Sequence, residues 1–81
     1  MPTVTVFGLG FVGLTTALGF SHIGCKVYGI EVDERRKDIL RSGKLPFSEP
    51  YMEDVLNKHL GKQFIVCDDV KEAVRSSDYI Y

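Results

Sequence analysis

Three glycines, Gly8, Gly10 and Gly13, form a G-x-G-x-x-G series directly after the β-branched run Val4-Thr5-Val6. An apolar stretch of helical character follows them. Glycines at this spacing, between a strand and a helix, suit the binding of a dinucleotide pyrophosphate. Gly8 allows a tight turn. Gly10 leaves room for a phosphate to approach the backbone, and Gly13 lets the helix lie close on the strand. The first amides of that helix, with its positive dipole end, would face the anion.

An acid completes the pattern. Glu31 lies 18 positions beyond Gly13, where the next strand should end. A carboxylate there can accept hydrogen bonds from both hydroxyls of an adenosine ribose, and it repels the 2′-phosphate of NADP, so the cofactor expected is NAD. Asp33 is the rival acid, but its place before Glu34-Arg35-Arg36 suits a helix N-cap better. Arg35, Arg36 and Lys37 form a basic cluster. They fit the solvated face of a helix, and Arg36 equally fits a place beside the adenine or ribose, which leaves some tolerance of NADP open.

Other reactive residues point to structure. Cys25 follows a helix-ending glycine, and Cys67 falls in or at the end of a core strand, so both are expected as buried apolar thiols. There is no C-x-x-C, and free thiols of this kind fit a reducing, cytoplasmic setting. His22 and His59 stand on separate helices without the spacing of a metal site. A nucleoside triphosphate P-loop, G-x-x-x-x-G-K-[ST], is absent.

The elements that must position these residues can be read from periodicity. Strand one is expected over Thr3 to Phe7, and helix one from about Phe11 to Ile23. Val12, Leu14, Ala17, Leu18 and Ile23 keep that helix apolar, Gly19 permits close packing, and Gly24 follows as the C′ residue. Strand two spans Lys26 to Val32. Helix two starts after Asp33, carries Arg36, Ile39 and Leu40 at helical spacing, and stops at Gly43. A third helix begins near Pro50 with Met52, Val55, Leu56 and His59 or Leu60 as its buried stripe, and Gly61 ends it. Phe64 to Cys67 is strand three. Asp69 and Glu72 form a capping box for a short helix with Val70, Ala73 and Val74, and strand four begins at Tyr79. The order β-α-β-α-α-β-α-β predicts an α/β fold: a Rossmann-type, doubly wound parallel sheet in the order 3-2-1-4, cut off in its fourth strand.

With 81 residues, the chain is at most one small domain. The formal net charge of −1 gives no case for nucleic acid or an anionic membrane as partner. The longest apolar stretch is broken by Thr, Gly, Ser and His, so no membrane span is expected. The last residues, Ser77-Asp78-Tyr79-Ile80-Tyr81, read as a strand just beginning, and residues 1–81 are therefore expected to be the N-terminal dinucleotide-binding part of a longer enzyme.

Longer motifs carry a resemblance. Phe7-Gly8-Leu9-Gly10-Phe11-Val12-Gly13-Leu14 resembles the G-x-G-Y-V-G-L opening of the UDP-glucose/GDP-mannose dehydrogenase family. Tyr28-Gly29-Ile30-Glu31-Val32-Asp33 resembles its second strand and ribose-binding acid. Ser42-Gly43-Lys44-Leu45-Pro46-Phe47-Ser48-Glu49-Pro50 resembles its S-G-x-x-P-[IF]-x-E-P loop, the most specific of the four. Ala73-Val74-Arg75-Ser76-Ser77-Asp78-Tyr79-Ile80-Tyr81 resembles the approach to its fourth strand. Phe11 stands where Tyr is common, Tyr51-Met52 where Gly-Leu is common, and Glu31 where Asp is more usual.

The pattern is closest to the UDP-glucose 6-dehydrogenases of that family. The resemblance implies cofactor contacts from Gly8, Gly10, Phe11, Val12, Gly13, Glu31 and Arg36. It also implies oxidation of the C6 alcohol of a nucleotide sugar to a uronic acid with two NAD, and a homo-oligomeric full-length protein. The catalytic Cys and its Lys and acidic or amide helpers are implied to lie after residue 81. Two alternatives are an NAD(P)-dependent 3-hydroxyacid or ketopantoate-type reductase, which the Leu45–Pro50 loop argues against, and a non-catalytic NAD-sensing module.

Overall fold

The computed structural model describes residues 1–81. Eight elements follow in order: β1 (Thr3–Phe7), α1 (Phe11–His22), β2 (Lys26–Ile30), α2 (Glu34–Arg41), α3 (Pro50–His59), β3 (Phe64–Val66), α4 (Val70–Ser76) and β4 (Tyr79–Ile80). The four strands form one sheet in the order β3-β2-β1-β4. All three pairings are parallel, with Val4 opposite Val27 and Tyr79, and Val27 opposite Phe64. This is the expected Rossmann-type arrangement.

Alternation along β1 assigns the two faces. Val4 and Val6 enter a core shared with Leu14, Ala17 and Leu18 of α1 and Leu56 of α3. Thr5 points the other way, and its hydroxyl donates to the carbonyl of Ala73 in α4 at 3.0 Å. Helices therefore cover both faces of the sheet. The strand order reverses at β1, which puts a topological switch point between the carboxyl ends of β1 and β4.

Local chemistry fixes the helix ends. The Asp33 side chain accepts from Arg36 N at 3.1 Å, and that of Asp69 accepts from Glu72 N at 3.0 Å. Gly24, Gly43 and Gly61, which follow helices, take φ of +104°, +83° and +76°, the left-handed conformation that ends a helix cheaply only at glycine. Asp68 ties α2 to the end of β3. It lies 2.9 Å from Lys37 Nζ and 3.0 Å from Arg41 Nη2, and these bonds hold its carboxyl below the usual range.

Several expectations need correction. Strand β2 ends at Ile30 and β3 at Val66, so Glu31 and Cys67 sit just past their strands. Cys67 is partly exposed because the chain leaves the sheet there. Val12 and Ile23 are 76% and 64% exposed. The buried stripe of α1 runs through Leu14, Ala17, Leu18 and Ser21, and both residues lie about half a turn away from it. Gly19 does not serve close packing, since a Cβ there would meet nothing within 4 Å. It lines a shallow groove with Leu18, Met52 and Val55. On α3 only Leu56 is fully buried, with Met52, Val55 and Leu60 partly so. Val70 and Val74 are exposed on α4, which buries Ala73 alone. The capping box there is half made, because the Glu72 carboxylate turns to Ser76 Oγ at 3.0 Å.

Candidate functional site

The turn from β1 to α1 is built by its glycines. Gly8 has φ of +85°, which lets the chain reverse at the sheet edge without a Cβ penalty. A Cβ at Gly13 would collide with the carbonyl oxygen of Gly8, so only glycine allows the first turn of α1 to come this close to β1. A Cβ at Gly10 would meet nothing within 4 Å. No packing contact within the protein therefore calls for glycine at that position.

The amides of this turn divide into two sets. Gly8 N donates to the Ile30 carbonyl at 2.8 Å, and Leu9 N donates to Glu31 Oε1 at 2.8 Å. These two bolt the turn sideways to the end of β2. The amides of Gly10, Phe11, Val12 and Gly13 find no acceptor in the protein, and Gly10 supplies no side-chain cap. No acid lies in the first turn of α1. The result is a row of open donors at the positive end of a twelve-residue helix, a cradle for an anion with several oxygens.

Glu31 stands next to this cradle. Its side chain is only 4% exposed. Oε1 accepts from Leu9 N and, at 3.1 Å, from Arg36 Nη1. Oε2 accepts from Asp33 N at 3.1 Å. Burial is the strongest single influence on this carboxyl and pushes its pKa up. The hydrogen bonds from Leu9, Asp33 and Arg36 together outweigh it and hold the group below its ordinary value, hence ionised. Three of its roughly four lone-pair positions are in use, which leaves one on Oε2 for an outside donor such as a sugar hydroxyl. Accepting two hydroxyls at once requires Arg36 to move aside. The Arg36 side chain is about a third exposed.

The structure thus brings Gly8, Gly10, Phe11, Val12, Gly13, Glu31 and Arg36 to one edge of the sheet. Arg36 is partly exposed and pairs with Glu31 at 3.1 Å. Asp33 is the N-cap of α2, as expected. Three contributors escape a reading of the sequence alone. Leu9 is an unassigned position between two glycines, yet its amide meets the acid and its side chain is fully buried. Ile30 contributes only a carbonyl. Phe47, from the loop before α3, packs edge-on against the exposed ring of Phe11 with centroids 5.1 Å apart. The aromatic character of both was the one available signal.

The remaining reactive side chains lie elsewhere. Cys25 is buried in the core and Cys67 is free. His22 Nδ1 and His59 Nε2 do meet, at 3.3 Å across α1 and α3, although they are 37 positions apart. No third metal-ligating side chain joins them.

Known proteins share this construction. Residues 2–81 match the profile of the UDP-glucose/GDP-mannose dehydrogenase family, NAD binding domain. UDP-glucose 6-dehydrogenase TuaD of Bacillus subtilis is 35% identical over all of this chain, which spans 18% of that relative. A UDP-glucose dehydrogenase of the hyperthermophilic archaeon Pyrobaculum islandicum superposes on 99% of the chain with a TM-score of 0.88 and 32% identity, over 19% of its own length. A GDP-mannose dehydrogenase from Pseudomonas aeruginosa, solved as a ternary complex, superposes on 99% of the chain with a TM-score of 0.82 and 35% identity, over 18% of its own length. The open amide row, the adjoining buried acid and the match from end to end agree: the chain belongs to the UDP-glucose/GDP-mannose dehydrogenase family, as its NAD-binding domain.

Proposed function

We propose that this chain is the N-terminal cofactor-binding part of a longer nucleotide-sugar dehydrogenase. The whole enzyme oxidises the C6 alcohol of UDP-glucose, or of a related UDP- or GDP-sugar, to a uronic acid. Two NAD are consumed for each sugar, one for alcohol to aldehyde and one for the aldehyde level to the acid. The observation that carries this reading is the row of open amides from Gly10 to Gly13 beside a buried, ionised Glu31, in a chain that matches the family over residues 2–81.

In this reading the amides of Gly10, Phe11 and Val12 hold the pyrophosphate. Gly8 shapes the turn, and Gly13 seats the helix. Glu31 accepts from the adenosine ribose with its remaining lone pair, and Arg36 flanks it. Bound NAD supplies a hydride acceptor. The residues of this chain bind and orient it and take no part in the chemical step, which belongs to side chains of the longer protein. Orientation matters because fixed geometry supplies about 7–11 kcal/mol of the acceleration in well-placed reactions.

Two measurements test this. Calorimetric titration of the whole protein with NAD is expected to show binding that weakens by about 1–3 kcal/mol in Glu31→Ala, the loss of hydrogen bonds to a charged group. Absorbance of NADH is expected to rise by two equivalents per UDP-glucose. Failure to bind NAD, or no NADH with UDP-glucose, UDP-N-acetylmannosamine or GDP-mannose, overturns the reading.

A further inference from the structure

Glu31 spends most of its hydrogen-bonding capacity on the protein itself. Of its three bonds, two go to backbone amides, one on either side of the site: Leu9 N at 2.8 Å in the glycine turn and Asp33 N at 3.1 Å at the start of α2. Leu9 is also anchored from its other end. Its side chain is fully buried and occupies the space over Gly29, where a Cβ would come within 2.9 Å of Leu9 Cδ1 and of Phe64 Cε1. The Leu9 peptide is therefore held by its side chain in the core and by its N–H on a carboxylate. Charged acceptors make the stronger bonds to amides.

From this geometry we infer that Glu31 is a positioning residue for the phosphate cradle, and not only a ligand for a ribose. By holding Leu9 N, its carboxylate keeps the glycine turn against the end of β2, so that the amides of Gly10 to Gly13 stay open and aimed outward. Without it, the buried Leu9 amide has no acceptor. A buried donor left unpaired is costly, and the flexible glycine turn would move to find it another partner. The cradle would then be disordered for any ligand with a diphosphate, whatever its sugar.

The inference rests on the NAD reading for its biological meaning but is separable from it. Its test uses 2′,3′-dideoxyadenosine 5′-diphosphate, which keeps the diphosphate and lacks both ribose hydroxyls, alongside ADP. The variants are Glu31→Gln and Glu31→Ala in the whole protein. Gln keeps the shape but must turn its NH2 group toward one of the two backbone donors. Glu31→Ala is expected to bind the dideoxy compound at least tenfold more weakly than the wild type, and Glu31→Gln to fall between the two, with unchanged circular dichroism. Hydrogen exchange, read at residue level by mass spectrometry on the ligand-free protein, is expected to accelerate at Leu9 at least tenfold in Glu31→Ala and to stay unchanged at Val27 in β2.

Loss of ADP affinity with dideoxy affinity retained within twofold shows that Glu31 acts through ribose hydroxyls alone. That result overturns the inference and leaves the NAD reading standing. A wild type that binds neither NAD nor ADP overturns the NAD reading, and the exchange data then decide the inference by themselves. An unaltered Leu9 amide in Glu31→Ala sinks it, as does unprotected exchange at Leu9 in the wild type, a result that needs no variant to fold.

Discussion

At the scale of single residues, the glycines separate by what surrounds them. Gly13 faces the Gly8 carbonyl, Gly10 faces open space beside the unpaired amides, and Gly19 faces open space along the groove on α1. Gly13→Ala must displace backbone, and overpacking of this kind costs about 1–3 kcal/mol. Because the displaced atoms belong to the cradle, NAD affinity is expected to fall by tenfold or more. Gly10→Ala should leave the melting temperature unchanged yet weaken NAD binding, since its methyl group occupies the space kept for the phosphates. Gly19→Ala is expected to raise stability by up to about 1 kcal/mol, the gain in helix propensity, with no effect on NAD. Thermal melts paired with calorimetry check all three. Equal behaviour of the Gly10 and Gly19 variants would remove the case for a phosphate over Gly10.

At the scale of elements, the packing of α1 against α3 creates a titratable contact. His59 is held below its ordinary pKa first by burial, then by the nearness of His22, Lys58 and Lys62. A proton therefore binds His59 more weakly in the folded state than in the unfolded one. The contact is fully stable above the unfolded value near 6.5, and stability falls as the pH drops through 6.5 toward the lower folded value. The wild type is expected to lose melting temperature between pH 7.5 and pH 5.5. His59→Gln should lose less, because it cannot take up the proton. An identical acid limb in the two proteins would show that the pair carries no charge penalty.

At the scale of the whole molecule, the core and the site use different chemistry, and Cys25 belongs to the former. Cys25 lies among Leu18, Val27 and other core residues, and Cys67 is a free thiol past the end of β3, with Sγ 3.4 Å from the Asp69 carbonyl. In the longer protein, Cys25→Ser is expected to cost about 1–3 kcal/mol of stability, the penalty for burying a hydroxyl, and the dehydrogenase turnover proposed above should be retained. Cys67→Ser should change neither. Loss of turnover in a folded variant would contradict the structural role of that thiol. No helix is long and apolar enough to cross a membrane. The sheet that joins core and site places the glycine turn and Glu31 at the same edge, because β1 and β2 pair in register from Thr3–Lys26 to Phe7–Ile30. Parallel pairing in that register brings Gly8 level with the residue after Ile30.

The sequence by itself determined the element order, the parallel sheet 3-2-1-4, the caps at Asp33 and Asp69 and the glycine turn. The elements, caps and turn depend on local periodicity, backbone freedom or capping within a few residues, and the sheet order follows from the alternation of strands and helices with right-handed crossovers. The acid at Glu31 was legible too, since its distance from the glycines follows from one helix and one strand. Tertiary structure alone decided what Glu31 bonds to, because Leu9 is 22 positions away and its amide carries no signature in the sequence. It also decided that Phe47 meets Phe11, that His22 meets His59, and that Val12 and Ile23 face outward. Those outcomes depend on how α1 is rotated on the sheet and how α3 crosses it. Helix one is apolar on nearly every side, so its periodicity does not mark a single buried face. The fit of Leu14, Ala17, Leu18 and Ser21 against the strands sets the rotation.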